Sequence, residues 1–282
     1  SYYTFYDIDL DRYPTPQGQK QVMIAARELD PRKIDQNWLN RHLNYTHGYG
    51  LAMNAVNQAN NVGQALFIVK DLPPVIDPSL PDLNLTRPQI YFGEAPDSYI
   101  IVRTREKEFD YPAAAGENVT TVYEGQDGIS LRRWLTRLLM AVELRDRNLI
   151  LSGYLQPESK ILLYRNIKER IARLAPFLIL DEDPYLVTAG NRLYWLVDAY
   201  TTSRYFPYAR QHKNGYNYIR NSVKVVVDAY HGTVDFYVVD QADPIAQTWL
   251  KIFPEKFKPF DQMPAALQQH IRYPEALFTI QQ

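Results

Sequence analysis

Hydrophobic and polar positions alternate most regularly in the last third of the chain. Between Asn221 and Pro244, Val223, Val225 and Val227 alternate with Lys224, Val226 and Asp228, and past His231-Gly232 the alternation resumes at Val234, Phe236 and Val238. A period of two interrupted by a turn residue predicts a hairpin, with Gly232 supplying the positive φ of a tight two-residue turn. An earlier stretch, Asn191 to Ser203, carries the same motif: Val197-Asp198-Ala199-Tyr200 stands where the later one has Val227-Asp228-Ala229-Tyr230. It belongs to a first hairpin that follows the acidic, solvated turn Asp181–Pro184 and bends at Gly190-Asn191. The repetition predicts equivalent positions, in one sheet or in duplicated units, with Asp198 and Asp228 ending corresponding strands and anchoring turn amides.

The rest of the chain adds shorter elements. Alternation after Phe5 breaks at Pro14, Pro16 and Gly18, which predicts a hairpin whose second strand carries Val22 and Ile24. Asp7, Asp9 and Asp11 resemble the opening of a calcium loop, but Arg12 stands at the glycine position and Gly18 at the bidentate glutamate position. Three water-facing carboxylates on one strand, and no metal, are therefore expected. Asp35 is placed to cap a short helix on which Trp38, Leu39, His42 and Leu43 share a face. Two strands flank the polar loop 57–64, five prolines make 70–88 an extended connector, and Gln89–Glu94 and Ser98–Thr104 read as strands before an irregular passage, 108–128. Ser130 is placed to cap a helix with Leu131, Leu135, Leu138, Leu139 and Val142 packed inward and Arg132, Arg133 and Arg137 on a solvated face. After a strand at Lys160–Arg165, Asn166 caps a helix with Ile167, Ile171 and Leu174 inward. Prolines 244, 264 and 274 open three further helices, and His270 falls at a helix end, where a cation suits the dipole.

These elements predict an α+β fold: antiparallel sheets built from hairpins, with amphipathic helices packed on their faces. Either 1–112 forms a strand-rich lobe and 113–282 a second unit, or the two are one continuous domain. At 282 residues the chain can bury a large core. A net charge of -1 gives no global field toward nucleic acid or a membrane surface, so no nucleic-acid partner is expected. The absence of cysteine excludes disulfides, thiolate metal sites and cysteine catalysis, and no cofactor motif is present. No run reaches the roughly 20 apolar residues of a spanning helix. A start at Ser1 without Met, and a stop at Gln282 just after an apparent helix, suggest a piece of a longer protein.

Charge and aromatic content single out one segment. From Ala199 to Val227 there is no Asp or Glu, while Arg204, Arg210, Lys213, Arg220 and Lys224 lie among Tyr200, Tyr205, Tyr208, Tyr216 and Tyr218. Tyrosine, at 22 residues, outnumbers phenylalanine, at 11, and such faces interleaved with cations can stack on rings while pairing with phosphates or carboxylates. Arg204, Tyr205, Tyr208, Arg210, Lys213 and Arg220 are thus the candidate binding residues, against the plainer reading of a solvated connection between strands. His42 and His47 are the catalytic alternative, a hydrolase pair completed by an aspartate from elsewhere in the fold. Their spacing lacks the i, i+4 arrangement and adjoining glutamate of a helical zinc site, which favours histidines that tie a helix end to the Gly48–Gly50 turn.

Several segments taken in order, NRHLNYTHGYG, PQIYFGE, EFDYP, DEDPYLV, LYWLVDAYTTSRYFPYA and NYIRNSVKVVVDAYHGTVDFYVVD, resemble uncharacterised protein family 0182. The resemblance covers Tyr6 to Phe278 and implies a bacterial protein of the cell membrane, with several transmembrane helices absent from this chain and a large extracytoplasmic soluble domain. It implies no activity and no catalytic residues. Val227 to Tyr237 also resembles, over a hairpin only, the strand-turn-strand of extracytoplasmic PepSY modules. On these grounds the leading expectation is a non-catalytic domain that binds an envelope polymer or a partner protein through the basic, tyrosine-rich segment, and a structural scaffold of a membrane complex is a further alternative.

Overall fold

The computed structural model describes residues 2–59, 61–81, 83–113 and 116–281; parts of the predicted loops at 57–64 and 108–128 lie outside them. The chain opens with β1 (Tyr3–Phe5), β2 (Asp9–Thr15) and β3 (Gly18–Leu29), as the alternation predicts. β2 pairs with the first half of β3 and β1 with its end, both antiparallel. A short π-helical turn, Asn40–Asn44, leads to β4 (Gly48–Tyr49), and then β5 (Leu51–Ala59), β6 (Ala65–Lys70) and β7 (Val75–Ile76) extend the first sheet in the order β1-β3-β5-β6-β7. The turn is preceded by Asn37, whose side chain accepts from the Asn40 N–H at 2.8 Å, so Asn37 takes the role predicted for Asp35.

β8 (Gln89–Ile90) pairs with β4, and β9 (Ile100–Val102) joins a small sheet. The passage read as irregular contains β10 (Glu108–Pro112) and β11 (Asn118–Thr121), an antiparallel pair. β12 (Ile129–Ser130) and β13 (Lys160–Leu162) complete the sheet of β9. Between them lie α1 (Trp134–Glu143) and α2 (Asn148–Leu151), and α3 (Ile167–Leu174) follows. Asn166 caps α3 as predicted, accepting from Glu169 N–H at 3.2 Å. Leu174, expected inward, is instead largely exposed.

The second large sheet comprises β14 (Ile179–Leu180), β15 (Tyr185–Ala189), β16 (Arg192–Ser203), β17 (Tyr218–Asp228), β18 (Val234–Val238) and β19 (Phe257–Pro259). Its helices are α4 (Pro244–Ile252), α5 (Ala265–Gln268) and α6 (Glu275–Gln281), and Asp243 caps α4 by accepting from Ile245 N–H. All pairings are antiparallel except β18 with β19. The fold is α+β.

The two large sheets share one core. Val22, Ile24 and Met53 of the first cluster with Trp195, Val197, Val223, Val225 and Phe236 of the second, together with Ile167 and Ile171 of α3. This core includes residues on both sides of position 112. Polar bonds join the sheets as well: Asp9 accepts from Leu186 N–H, and Tyr13 OH accepts from Thr188 N–H, each at 3.0 Å.

Three expectations change. The two VDAY stretches stand in one sheet, as one of the two expectations had it, in the hairpins β15–β16, which bends at Gly190-Asn191, and β17–β18; strands β16 and β17 also pair with each other, in the register Asp198↔Lys224 and Tyr194↔Asp228. Asp198 therefore sits mid-strand, buried in an ion pair with Lys224, while Asp228 ends β17 and accepts from Tyr230 and His231 N–H at 2.8 Å each. The turn is longer than two residues, spanning the gap between Asp228 and Val234. Lys224 and Val226, the alternate positions of β17, are buried as well: Val226 packs with Met263 and Leu267, and Lys224 pairs with Asp198.

The aspartates of β2 are the second change. Asp7, just before β2, is exposed, but Asp9 is buried and holds Arg272 at 2.8 Å, and Asp11, half-buried, holds His270 at 2.7 Å, so two of the three carboxylates expected to face water are paired. Asp181 likewise is buried and accepts from Tyr200 OH rather than lying in a solvated turn.

The third change concerns α1. Ser130 lies outside it and accepts only from Arg132 N–H, and the cap position falls at Arg133, which offers no capping bond. Leu131 is buried, but Leu135, Leu139 and Val142 face outward. The helix packs instead through Ala141, with Met140 and Leu144, against Leu43, Ile101 and Leu149. Among the described residues no helix is long and apolar enough to cross a membrane.

Candidate functional site

The basic, tyrosine-rich segment is the tip of the β16–β17 hairpin, between Ser203 and Tyr218, which are paired in the ladder. Its base is clasped by Asn217. The Asn217 side chain donates to Phe206 O at 2.8 Å and Ala209 O at 3.3 Å and accepts from Phe206 N–H at 2.9 Å, while its backbone N–H donates to Ser203 O. Asparagine suits this role because its amide presents donor and acceptor on one short arm. Phe206 stacks on Tyr218 at 5.2 Å, and the Tyr218 hydroxyl donates to Asp243 at 2.8 Å, which ties the loop base to the cap of α4. A second turn forms where Gly215 N–H donates to His212 O at 2.8 Å and His212 N–H to Tyr216 O at 2.8 Å.

On this clasped base the candidate residues divide into two kinds. Tyr205 is 90% exposed, and Tyr208, held at a φ of +62°, is fully exposed. Neither ring packs on another aromatic among the described residues, so both faces are open to a ligand. Arg204, Arg210 and Lys213 pair with no carboxylate among the described residues. Arg220 differs: it holds Asp240 at 2.8 Å and lies over the Tyr218 ring, so its charge is partly committed.

Two shallow concavities flank the loop. One, of about 450 Å³, is lined by Arg204, Tyr205, Asn214 and Tyr216 with Thr202 and Ile179. The other, of about 480 Å³, is lined by Arg210, His212, Lys213, Tyr216 and Tyr218. Tyr216 is the wall between them, and both present cations beside an aromatic edge. That combination suits a ring with an attached anion: the ring lies on tyrosine while the anion takes guanidinium or ammonium hydrogens.

The two histidines of the catalytic alternative lie in separate environments. His42 donates from Nδ1 to Tyr99 O at 2.8 Å and stacks on the Tyr99 ring at 4.1 Å; burial lowers its pKa. His47 has 0% exposure. Its Nε2 meets Asp110 at 3.1 Å and its Nδ1 meets Thr46 Oγ1 at 2.8 Å. Because the Thr46 hydroxyl gives its one hydrogen to Glu108 at 2.6 Å, Nδ1 must donate to Thr46, and Nε2 donates to Asp110. His47 is thus doubly donating. Burial opposes the charged ring, but the bond to Asp110 and the Glu108 carboxylate, 3.7 Å from Nδ1, outweigh it and raise the pKa.

Residues that the sequence did not single out complete this interior network. Tyr91 OH donates to Glu108 at 2.7 Å, Tyr123 N–H donates to it at 2.8 Å, and Gln89 donates to Asp110 at 3.1 Å. Nearby, Arg165 donates to the carbonyls of Tyr91, Thr46 and Ser98, and Glu28 accepts from the N–H groups of Glu94 and Ala95. The network pins β8, β10 and the turn before β4 together. Its partners are separated by up to 119 residues, and no local motif marks them.

The sequence model of Uncharacterised protein family (UPF0182) matches residues 1–282. The chain belongs to this family. A UPF0182 protein of Pelotomaculum thermopropionicum is 50% identical over 283 residues, covering 99% of this chain and 30% of its own length. One of Moorella thermoacetica is 50% identical over 285 residues, covering 100% of the chain and 31% of the relative. A UPF0182 protein of Cupriavidus necator is 49% identical over 285 residues, with the same coverage. The chain thus spans about a third of the length of the curated UPF0182 relatives it matches. No solved structure matches it.

Proposed function

We propose that this chain is a non-catalytic binding domain whose hairpin tip, 204–217, takes an anionic glycan of the cell envelope. The observation that carries the reading is the pairing of two open tyrosine rings, Tyr205 and Tyr208, with three cations that have no carboxylate partner among the described residues. Leaving such groups unpaired on a loop whose base is firmly bonded favours a ligand that supplies both a ring face and a negative charge. An extracytoplasmic site of action, implied by the family resemblance, is part of the proposal and accounts for the choice of an envelope polymer.

Acid-base chemistry is not part of this reading. A general base must reach the proton that it abstracts, whereas His47 is sealed in a network and His42 is committed to a backbone carbonyl. Binding is tested by calorimetric titration of the chain with polygalacturonate as a carboxylated glycan, heparin as a sulfated one and dextran as a neutral control. Binding to the anionic polymers that weakens with salt is expected. No binding, or equal binding to dextran, overturns the proposal.

A further inference from the structure

The second apolar face of α1 is a separate feature, independent of the hairpin tip. Trp134, Leu135, Leu139 and Val142 line the outward side of α1, and Ile150 and Leu151 of α2 continue it. Trp134 is 71% exposed, Val142 69% and Leu151 73%, while α1 packs into the core through Ala141, with Met140. Scattered exposed leucines need no explanation, but six large apolar side chains on two consecutive short helices do.

The face is held in place. Asp146, in the turn joining the helices, accepts from Trp38 Nε1 at 2.7 Å, from Tyr99 OH and from Asn148 N–H at 2.8 Å. Tyr99 is itself covered by the His42 ring. The turn is therefore anchored to the body of the domain.

In sequence the apolar residues are flanked by Arg132 and Arg133, just before α1, and by Arg145 and Arg147, in the turn to α2, all exposed and none paired with a carboxylate among the described residues. The acidic groups of the same stretch are Glu143, exposed, and Asp146, already bonded as above. We propose that this face is a docking site for an anionic lipid surface. An apolar strip bordered by arginines matches the acyl boundary and phosphate layer of a bilayer, with tryptophan suited to the interface. A second copy fits less well, because two-fold pairing would set four arginines against four more, with Glu143 of each copy to offset one of them. With ten residues, α1 is about 15 Å long, so it lies along such a surface and does not span it. The net charge of -1 leaves this local patch, and not the molecule as a whole, to supply the attraction.

The test is flotation of the 282-residue chain with vesicles of phosphatidylglycerol mixed with phosphatidylcholine, and with phosphatidylcholine alone. Partition onto the anionic vesicles is expected, with a blue shift of tryptophan emission that Trp134→Phe removes while partition persists. Leu139→Asp and Leu151→Asp, at exposed positions, should each lower partition about tenfold or more by placing a charge in the acyl boundary. Arg132→Glu with Arg133→Glu should abolish the preference for phosphatidylglycerol, whereas Ala at Arg204, Arg210 and Lys213 should leave it unchanged. Absence of partition by the unaltered chain overturns the proposal. So does partition that survives both aspartate changes, or a dimer in light scattering that Leu139→Asp dissociates.

Discussion

Replacing Lys224 by Met removes the cation from the ion pair that joins the two arms of the β16–β17 hairpin. Both side chains of the pair are almost fully buried, and Lys224 also donates to Arg272 O at 3.3 Å. Among the described residues, the Asp198 carboxylate would retain the side-chain donor Asn221, at 3.1 Å. Burial already raises the Asp198 pKa, and the charge and hydrogen bond of Lys224 are the leading influences that lower it. Without them the group either stays charged and uncompensated or takes up a proton. Breaking one partner of such a pair costs about 3–5 kcal/mol, whereas replacing both by apolar groups is near neutral. Lys224→Met should therefore lose about 3–5 kcal/mol in urea denaturation at pH 7, and Lys224→Met with Asp198→Leu should recover most of it. The sign with pH follows: a carboxyl whose folded pKa is raised loses stability as pH rises, so the deficit of the single variant should shrink in acid. A single variant within 1 kcal/mol of the parent, or a double variant less stable than the single, would refute the assignment of this pair as the lock of the hairpin.

Three further outcomes concern the interior and the exposed hairpin tip. Burial raises Glu28 from its ordinary 4.5 to about 7, and His47 is also raised, so both bind protons more tightly folded than unfolded. Stability should fall from about pH 4.5 to 7 through Glu28 and above about pH 6.5 through His47, and Glu28→Gln should flatten the lower part of that slope in denaturation series. Gly232→Ala should destabilise by about 1–3 kcal/mol, since Gly232 has a φ of +69° and a Cβ there would lie 2.5 Å from the Phe92 ring; an unchanged melting midpoint would contradict it. Tyr205→Ala with Tyr208→Ala should stay within about 0.5 kcal/mol of the parent in stability, because both rings are exposed, while weakening polygalacturonate binding.

The strands of this fold were legible because a period of two survives wherever one face is buried, as at Val22 and Ile24 of β3. The same periodicity does not show that Val226 is buried too, since nothing local announces that Met263 and Leu267 pack on it. On α1 the pattern showed an apolar stripe correctly but could not tell which stripe finds a partner, and the helix has two. The partners of Asp9 and Asp11 stand 263 and 259 residues away, beyond the reach of any spacing argument. At the hairpin tip, the missing carboxylates and the tyrosines were visible in composition. What composition could not reveal was that Arg220 is partly spent on Asp240 while Arg204, Arg210 and Lys213 are not.

Those three cations and the rings beside them form the proposed glycan site. The most direct measurement is calorimetric titration of polygalacturonate into the chain and into the variant with Ala at Arg204, Arg210 and Lys213, at low and moderate salt. At about 0.5–1 kcal/mol per exposed cation, the variant should bind roughly ten- to a hundredfold more weakly and show a smaller salt dependence, with an unchanged melting curve. Equal affinity of the two proteins would contradict the account.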